Sequence, residues 1–251
     1  MKLGRLPRGR DLRIPHFSAL LAGAAVPTAP DTCDYTGPVA GKPLGSMLND
    51  SLGDCTCAGI GHAVQIWTAN TEASMVTVPD SEVLALYEAV GKYNPADPST
   101  DQGCVEQDVL KYLLSNSFAG TELAAFVEID PRNLNDLKLG LYWCGIIYVG
   151  FNVPKYLTDS LEVPGSLWDV QPGADQSIVG GHCVIWPGYA SNFKTISWGE
   201  YYEMTPAFVD AYVEEAYALV HPDWFKDGST PLGMSVAQLS DACSALREAG
   251  T

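Results

Sequence analysis

The sequence predicts an α+β fold with its helices first and its antiparallel strands second, from three observations. Segments with helical apolar spacing crowd residues 55–115. Runs rich in β-branched and aromatic residues dominate residues 121–204. A tight turn near residues 190–192 joins two of those runs into a hairpin. Helices and strands segregated along the chain suit an α+β domain and not an alternating α/β one. The 251 residues suffice for a substantial core, in one large domain or two packed subdomains.

Residues 1–46 are rich in Pro and Gly and read as an extended arm, with one short helical candidate at 17–22. The arm is basic: Lys2, Arg5, Arg8, Arg10 and Arg13 face Asp11 alone within residues 1–30, while the whole chain carries −16. Such an arm lies across its own acidic domain, docks on a neighbour, or is a solvated tail. Residues 47–251 form the domain, with a helical lobe at 47–120, a β-rich lobe at 121–204 and helices at 205–251. The first helix, 55–70, carries Ile60, Val64, Ile66 and Trp67. A second opens at Pro79-Asp80, with Asp80 as N-cap and Val83, Leu84, Tyr87 and Val90 on one face. A loop rich in Pro, Asp and Ser spans 93–103. A third helix over 105–115 bears Val109, Leu110, Leu113 and Leu114.

Residues 123–129 then read as a strand, 133–141 as a short helix and 143–151 as a buried strand. Residues 154–179 read as irregular. A strand that opens at His182 turns near 190–192 and returns over 193–198. A helix starting at Thr205-Pro206 carries Phe208, Val209, Tyr212, Val213 and Ala216, and 235–247 makes a last amphipathic one.

An isoelectric point near 4.4 argues against a nucleic-acid-binding body, because phosphate contacts need clustered Lys and Arg. No segment approaches the ~20 apolar residues that span a membrane. Seven cysteines leave at least one thiol unpaired within the monomer. Cys55, Cys144 and Cys183 sit in or beside apolar runs, which suits core or site thiols in a reducing compartment. Residues 17–26 faintly resemble a secretory signal, but the apolar run is short and Pro15-His16 precedes it. The expected location is cytoplasmic or virion-associated.

The most chemically suggestive run is Asn49-Asp50-Ser51-Leu52-Gly53-Asp54-Cys55-Thr56. A turn-rich loop ends in a cysteine where a helix begins, and the partial positive charge of free backbone N–H groups there stabilises a thiolate. Far downstream, Gly181-His182-Cys183-Val184 sets an imidazole at a strand start. A thiol and an imidazole are the minimum equipment for nucleophilic cysteine chemistry. Cys57 is a rival that points to another side of the helix and reads as packing.

In order and motif, the chain resembles the papain-like cysteine peptidases. Asp34-Tyr35, Asn49 and Gly53-Asp54-Cys55 follow the order of that family's Asp-Trp, oxyanion Gln and Gly-Ser-Cys. Gly181-His182-Cys183-Val184 with Gly188-Tyr189 resembles its His strand, and Ser197-Trp198-Gly199 resembles its Asn-Ser-Trp-Gly. The resemblance runs from about residue 31 to 205. The chain is also similar to the C39-like group and to phage and bacterial proteins bearing Asn-Asp-x-x-Gly-Asp-Cys-Thr.

The resemblance implies a papain-like two-lobed fold, helical then β. It implies Cys55 as nucleophile, His182 as general base and acid, and Asn49 with the Cys55 N–H as oxyanion donors. An Asn-Asp turn in which Asn49 bonds its own backbone is the other reading of that residue. Trp198 would shield His182, with Gly53 and Asp54 lining the substrate side. Ile196 stands where the family carries its orienting Asn, so Ser197, Asn192 or a carbonyl must hold the ring.

His62 reads as a buried, hydrogen-bonded core residue, and His16 and His221 read as surface or capping residues. Cys55, Cys57, His62, His182 and Cys183 lack a paired metal motif such as CxxC, so no metal or cofactor is expected. The expected activity is cleavage of a peptide or amide bond in a peptide or protein substrate. The rival is an inactive papain-like scaffold within an assembly such as a phage particle, docked through the arm. A thiol-dependent amidase or toxin is a weaker third.

Overall fold

The computed structural model describes residues 2–9, 11–20, 28–71, 74–161 and 163–224. Its helices are α1 (Phe17–Leu20), α2 (Cys55–Thr71), α3 (Asp80–Gly91), α4 (Glu106–Leu113), α5 (Leu134–Cys144) and α6 (Pro206–Tyr212). Its strands are β1 (Cys33–Asp34), β2 (Ala125–Ile129), β3 (Ile147–Pro154), β4 (Leu167–Trp168), β5 (Ile178–Tyr189), β6 (Phe193–Ser197), β7 (Glu200–Met204) and β8 (Val213–Val220). This is the α+β class. The sheet runs β2-β8-β3-β5-β6-β7-β4, with β1 added beside β5. Every pair is antiparallel except β4 with β7.

Helix α2 is central. Every residue from Cys55 to Thr68 is buried, so its small residues serve close packing on all sides. It packs on β5. A Cβ on Gly59 would stand 3.0 Å from the Tyr148 ring, so glycine is what lets the helix approach β3. The Tyr148 hydroxyl donates to the Thr56 carbonyl at 2.7 Å and ties the first turn of α2 to that strand.

Several expectations shift. Helix α3 is capped by Pro79, with Asp80 as its first helical residue and no side-chain cap. Leu86, not Leu84, joins Val83 and Tyr87 in the core. Helix α5 runs on to Cys144 and takes Trp143 from the expected strand. Gly145 at φ 77° ends it, in the left-handed region where glycine is free of a Cβ clash. His182 lies inside β5, four residues after its start. The largest correction concerns residues 213–220, whose Val213 and Ala216 were assigned to a helix. They form β8, which sits between β2 and β3. Its residues Ala216–Val220 are buried, so the run is apolar because both faces are covered. The expected helix at 235–247 lies outside the described residues.

No helix among the described residues is long and apolar enough to cross a membrane. All six described cysteines are free thiols.

Candidate active site

Cys55 is the first residue of α2 and is buried. Its sulfur is approached by the backbone N–H groups of Cys183, the residue after His182, and of Gly4 in the arm. Burial pushes its thiol up to about 12. Those two N–H groups oppose the shift, and the nearby charges of Asp54 and Glu106 add to it. Cys57 is fully buried beside Thr56 and Cys104, as a packing residue would be.

His182 is fully buried in β5. Its Nε2 lies 2.7 Å from the Ser197 Oγ, and the Trp198 indole stacks on the ring with centroids 4.3 Å apart and planes 8° from parallel. Phe151 meets the ring edge-on. Its Nδ1 is buried with no hydrogen-bond partner among the described residues. A buried orphan nitrogen costs free energy. Burial alone pushes the imidazole down to about 3. Ser197 therefore occupies the position facing the ring. Ile196 is buried in the core, and Asn192 is spent on the Glu203 carboxylate at 2.7 Å.

Trp198 has φ 50°, an unusual left-handed value for a tryptophan, and its Nε1 donates to the Asn49 carbonyl at 3.2 Å. It thus links the turn before Cys55 to His182. The Asn49 amide donates to the Leu52 carbonyl at 3.1 Å, so one of its N–H groups serves its own turn. Asp54 is fully buried. Burial pushes its carboxyl up to about 8, against the pull of the Asn49 amide and its own N–H. Gly53 N–H donates to Asp101 Oδ1 at 2.9 Å.

The remaining histidines fit their expectations, His221 through the capping alternative and not the surface one. His62 is buried with Nε2 2.9 Å from the Gly45 carbonyl, and His16 is exposed beside Glu128. His221 does not lie on the surface. It is buried against Trp67, with ring centroids 5.0 Å apart, and its Nδ1 accepts from the Asp223 N–H.

Of the three readings of the basic arm, the structure shows it laid across its own domain; sequence reasoning did not place it over Cys55. Residues 2–6 of the arm run directly over Cys55. Cys104 N–H donates to the Gly4 carbonyl at 2.9 Å, Leu6 N–H to the Cys104 carbonyl at 2.9 Å, and Arg5 N–H to the Gly181 carbonyl at 3.1 Å. A Cβ on Gly4 would stand 1.8 Å from the Gly53 carbonyl oxygen, and one on Gly103 2.1 Å from the Gly4 carbonyl oxygen. The segment is pressed against both neighbours. Lys2 pairs with Asp101, Arg8 with Glu128, and Arg5 is buried against Glu106 and Glu215. The one signal in the sequence was charge: a cationic arm on an anionic chain.

No protein-family model matches the sequence, and no curated protein matches it either. Solved structures do resemble it. Xylellain, a cysteine protease from Xylella fastidiosa, superposes with a TM-score of 0.67 at 15% identity, covering 87% of this chain and 95% of that one. Digestive procathepsin L 3 of the Tenebrio molitor larval midgut gives 0.57 at 14% identity, covering 86% and 75%. The Carica candamarcensis cysteine protease CMS1MS2, in complex with E-64, gives 0.53 at 13% identity, covering 76% and 98%. The buried helix that opens with Cys55, the antiparallel sheet that carries His182 and these likenesses lead to one statement: the chain has the papain-like cysteine protease fold.

Proposed function

We propose that the protein is a cysteine hydrolase that cleaves a peptide or amide bond through an acyl-thioester on Cys55, with His182 as base and then acid. The observation that carries this reading is the division of labour on His182: Nε2 is committed to Ser197, while Nδ1 has no hydrogen-bond partner among the described residues, the Cys55 sulfur included, and sits on the residue next to the one whose N–H meets that sulfur. The tautomer with its proton on Nε2 donates to Ser197 and leaves the Nδ1 lone pair free; it takes the thiol proton once the arm leaves and the sulfur and ring close the gap that separates them in the covered form. The thiolate then adds to the substrate carbonyl, and the Cys55 N–H at the start of α2 faces the developing oxyanion. The protonated ring gives its proton to the leaving amine. Water, deprotonated by the same nitrogen, then releases the acid and frees the thiol. Trp198 shields the ring from water.

Under the arm this chemistry is dormant. Burial favours the neutral form of both groups, so the thiol stays protonated and the imidazole uncharged. Displacing residues 2–6 rehydrates the site and lets the ion pair form. The free thiols among the described residues suit a reducing compartment such as the cytoplasm. The inactive-scaffold reading draws on the same closure and on the turn that holds the Asn49 amide.

A single substitution separates them. In Gly4→Ala the new methyl collides with the Gly53 carbonyl and the arm cannot stay seated. Iodoacetamide at about pH 6, where ordinary thiols near pKa ~8.5 are protonated, then labels Cys55 selectively, as located by mass spectrometry. The label is lost when His182→Ala is added. Slow, uniform labelling of every accessible cysteine, unaffected by His182→Ala, would establish the scaffold reading.

A further inference from the structure

The arm is held as a peptide is held. Its main chain bonds Cys104 on one side and Gly181 on the other, and the side chain next to Gly4 drops into a closed pocket. That side chain is Arg5, 6% exposed. Its Nε lies 3.0 Å from Glu215 Oε1 and 3.7 Å from Glu106 Oε1, and its Nη1 lies 3.5 Å from Asn152 Oδ1. Both glutamate side chains are fully buried. The Glu215 carboxylate is fixed from behind by the Tyr217 hydroxyl at 2.7 Å, itself held by the Gln107 amide at 2.9 Å. Glycines make the room: a Cβ on Gly150 would stand 2.3 Å from both Arg5 Nε and Glu106 Oε1, and one on Gly181 3.0 Å from Arg5 Nη1.

We propose that this pocket, built by Glu106, Gly150, Asn152 and Glu215, selects an arginine side chain in the substrate, one residue away from the residue whose carbonyl meets Cys55. The proposal rests on the cysteine-hydrolase reading above. When the arm leaves, Arg5 leaves with it, and two carboxylates remain in a buried pocket. An arginine of the substrate restores the cation and the forked geometry. An aliphatic side chain would seal the carboxylates away from water without a partner, which is strongly unfavourable. Burial already pushes both carboxyls above their ordinary range, with the Arg5 charge opposing it. A lysine brings charge but cannot reach the carboxylates and the Asn152 amide oxygen with one fork. The arm is then a tethered mimic of the preferred substrate, and the residue that closes the site also reports its specificity.

The test uses the full chain with Arg5→Gly, which empties the pocket. Ethylguanidinium should raise the melting temperature of this variant saturably, more than ethylammonium does, and leave the wild-type chain unchanged. The second measurement, in Gly4→Ala, whose arm cannot stay seated and takes Arg5 with it, compares alkylation of Cys55 by acyl-Arg-Gly and acyl-Leu-Gly chloromethyl ketones, read by mass spectrometry. The arginine reagent should react about 100-fold faster, since a site built to bond a polar group rejects an analogue lacking it. Adding Glu215→Gln should cut that preference at least about tenfold. Equal rates for the two reagents, or no difference between the two additives, would overturn the proposal. If neither chloromethyl ketone nor iodoacetamide reaches Cys55, the nucleophile reading fails instead, and the additive titration still decides whether the pocket takes a guanidinium. Should the Arg5→Gly chain not fold, Gly4→Ala, which withdraws Arg5 together with the arm, carries the additive comparison as well.

Discussion

At the scale of single residues, the orientation of His182 decides what the site can do. The sequence shows a histidine and, at the usual orienting position, an isoleucine. It does not show that the next residue turns its hydroxyl to the ring, because that depends on the face each β6 side chain takes. Ser197→Ala removes the 2.7 Å bond to Nε2. It should slow Cys55 alkylation in a Gly4→Ala background about tenfold, in line with about 1–2 kcal/mol for a buried hydrogen bond. Ile196→Asn, which restores the residue type found in the resembling family, should give no gain. It places an amide at a fully buried core position and should cost about 2–3 kcal/mol in urea unfolding. The places of Cys55 at a helix start and of His182 in an apolar strand were legible, because a cysteine after a Gly-Asp turn and a histidine amid apolar strand residues stand out in the sequence. Glu106 and Glu215 were not, since a buried carboxylate has no local signature without its partner.

At the scale of elements, helix starts and apolar stripes read well and strand boundaries less so. The segments at 55–70 and 105–115 come within two residues of α2 and α4 at each end. The failure at β8 has a physical cause. Val213-Glu214-Glu215-Ala216-Tyr217 follows a genuine helix start, where the Thr205 hydroxyl accepts from the Phe208 N–H at 3.0 Å. Val213 and Ala216 continue the helical spacing begun at Phe208, Val209 and Tyr212, so nothing local marks the switch. Only pairing with β2 and β3 makes the strand, and that contact is remote in sequence. The same threonine donates to Asp169 Oδ1 at 2.6 Å. Thr205→Ala should therefore destabilise the fold by about 1–2 kcal/mol, measurable as a lower urea midpoint. It should leave Cys55 reactivity in the Gly4→Ala background unchanged, because α6 adds no group to the site.

At the scale of the whole molecule, closure by the arm couples stability to pH. The closed form keeps His182 near 3 and His62 near 4, both lowered by burial, against about 6.5 in an unfolded chain. Between those values the unfolded chain binds protons that the closed one refuses. Stability is therefore highest above about pH 6.5 and falls as pH drops towards 4, by an amount of order 3 kcal/mol per histidine at the lower end. A melting temperature that falls steadily from pH 7 to 4.5, and falls less in His62→Gln, is the expected outcome. A flat profile would show that the two rings are not buried neutral.

The basic arm and acidic body were visible in the composition, but where the arm lies was not. Gly4 and Arg5 are ordinary residues until Gly53, Cys104 and Gly181 are folded around them. The most direct measurement of the account is the pH dependence of Cys55 alkylation in Gly4→Ala. A rate already level from about pH 5 upward, and reduced to ordinary thiol behaviour by His182→Ala, is the predicted result. A rate that climbs only near pH 8.5 with or without His182 would contradict it.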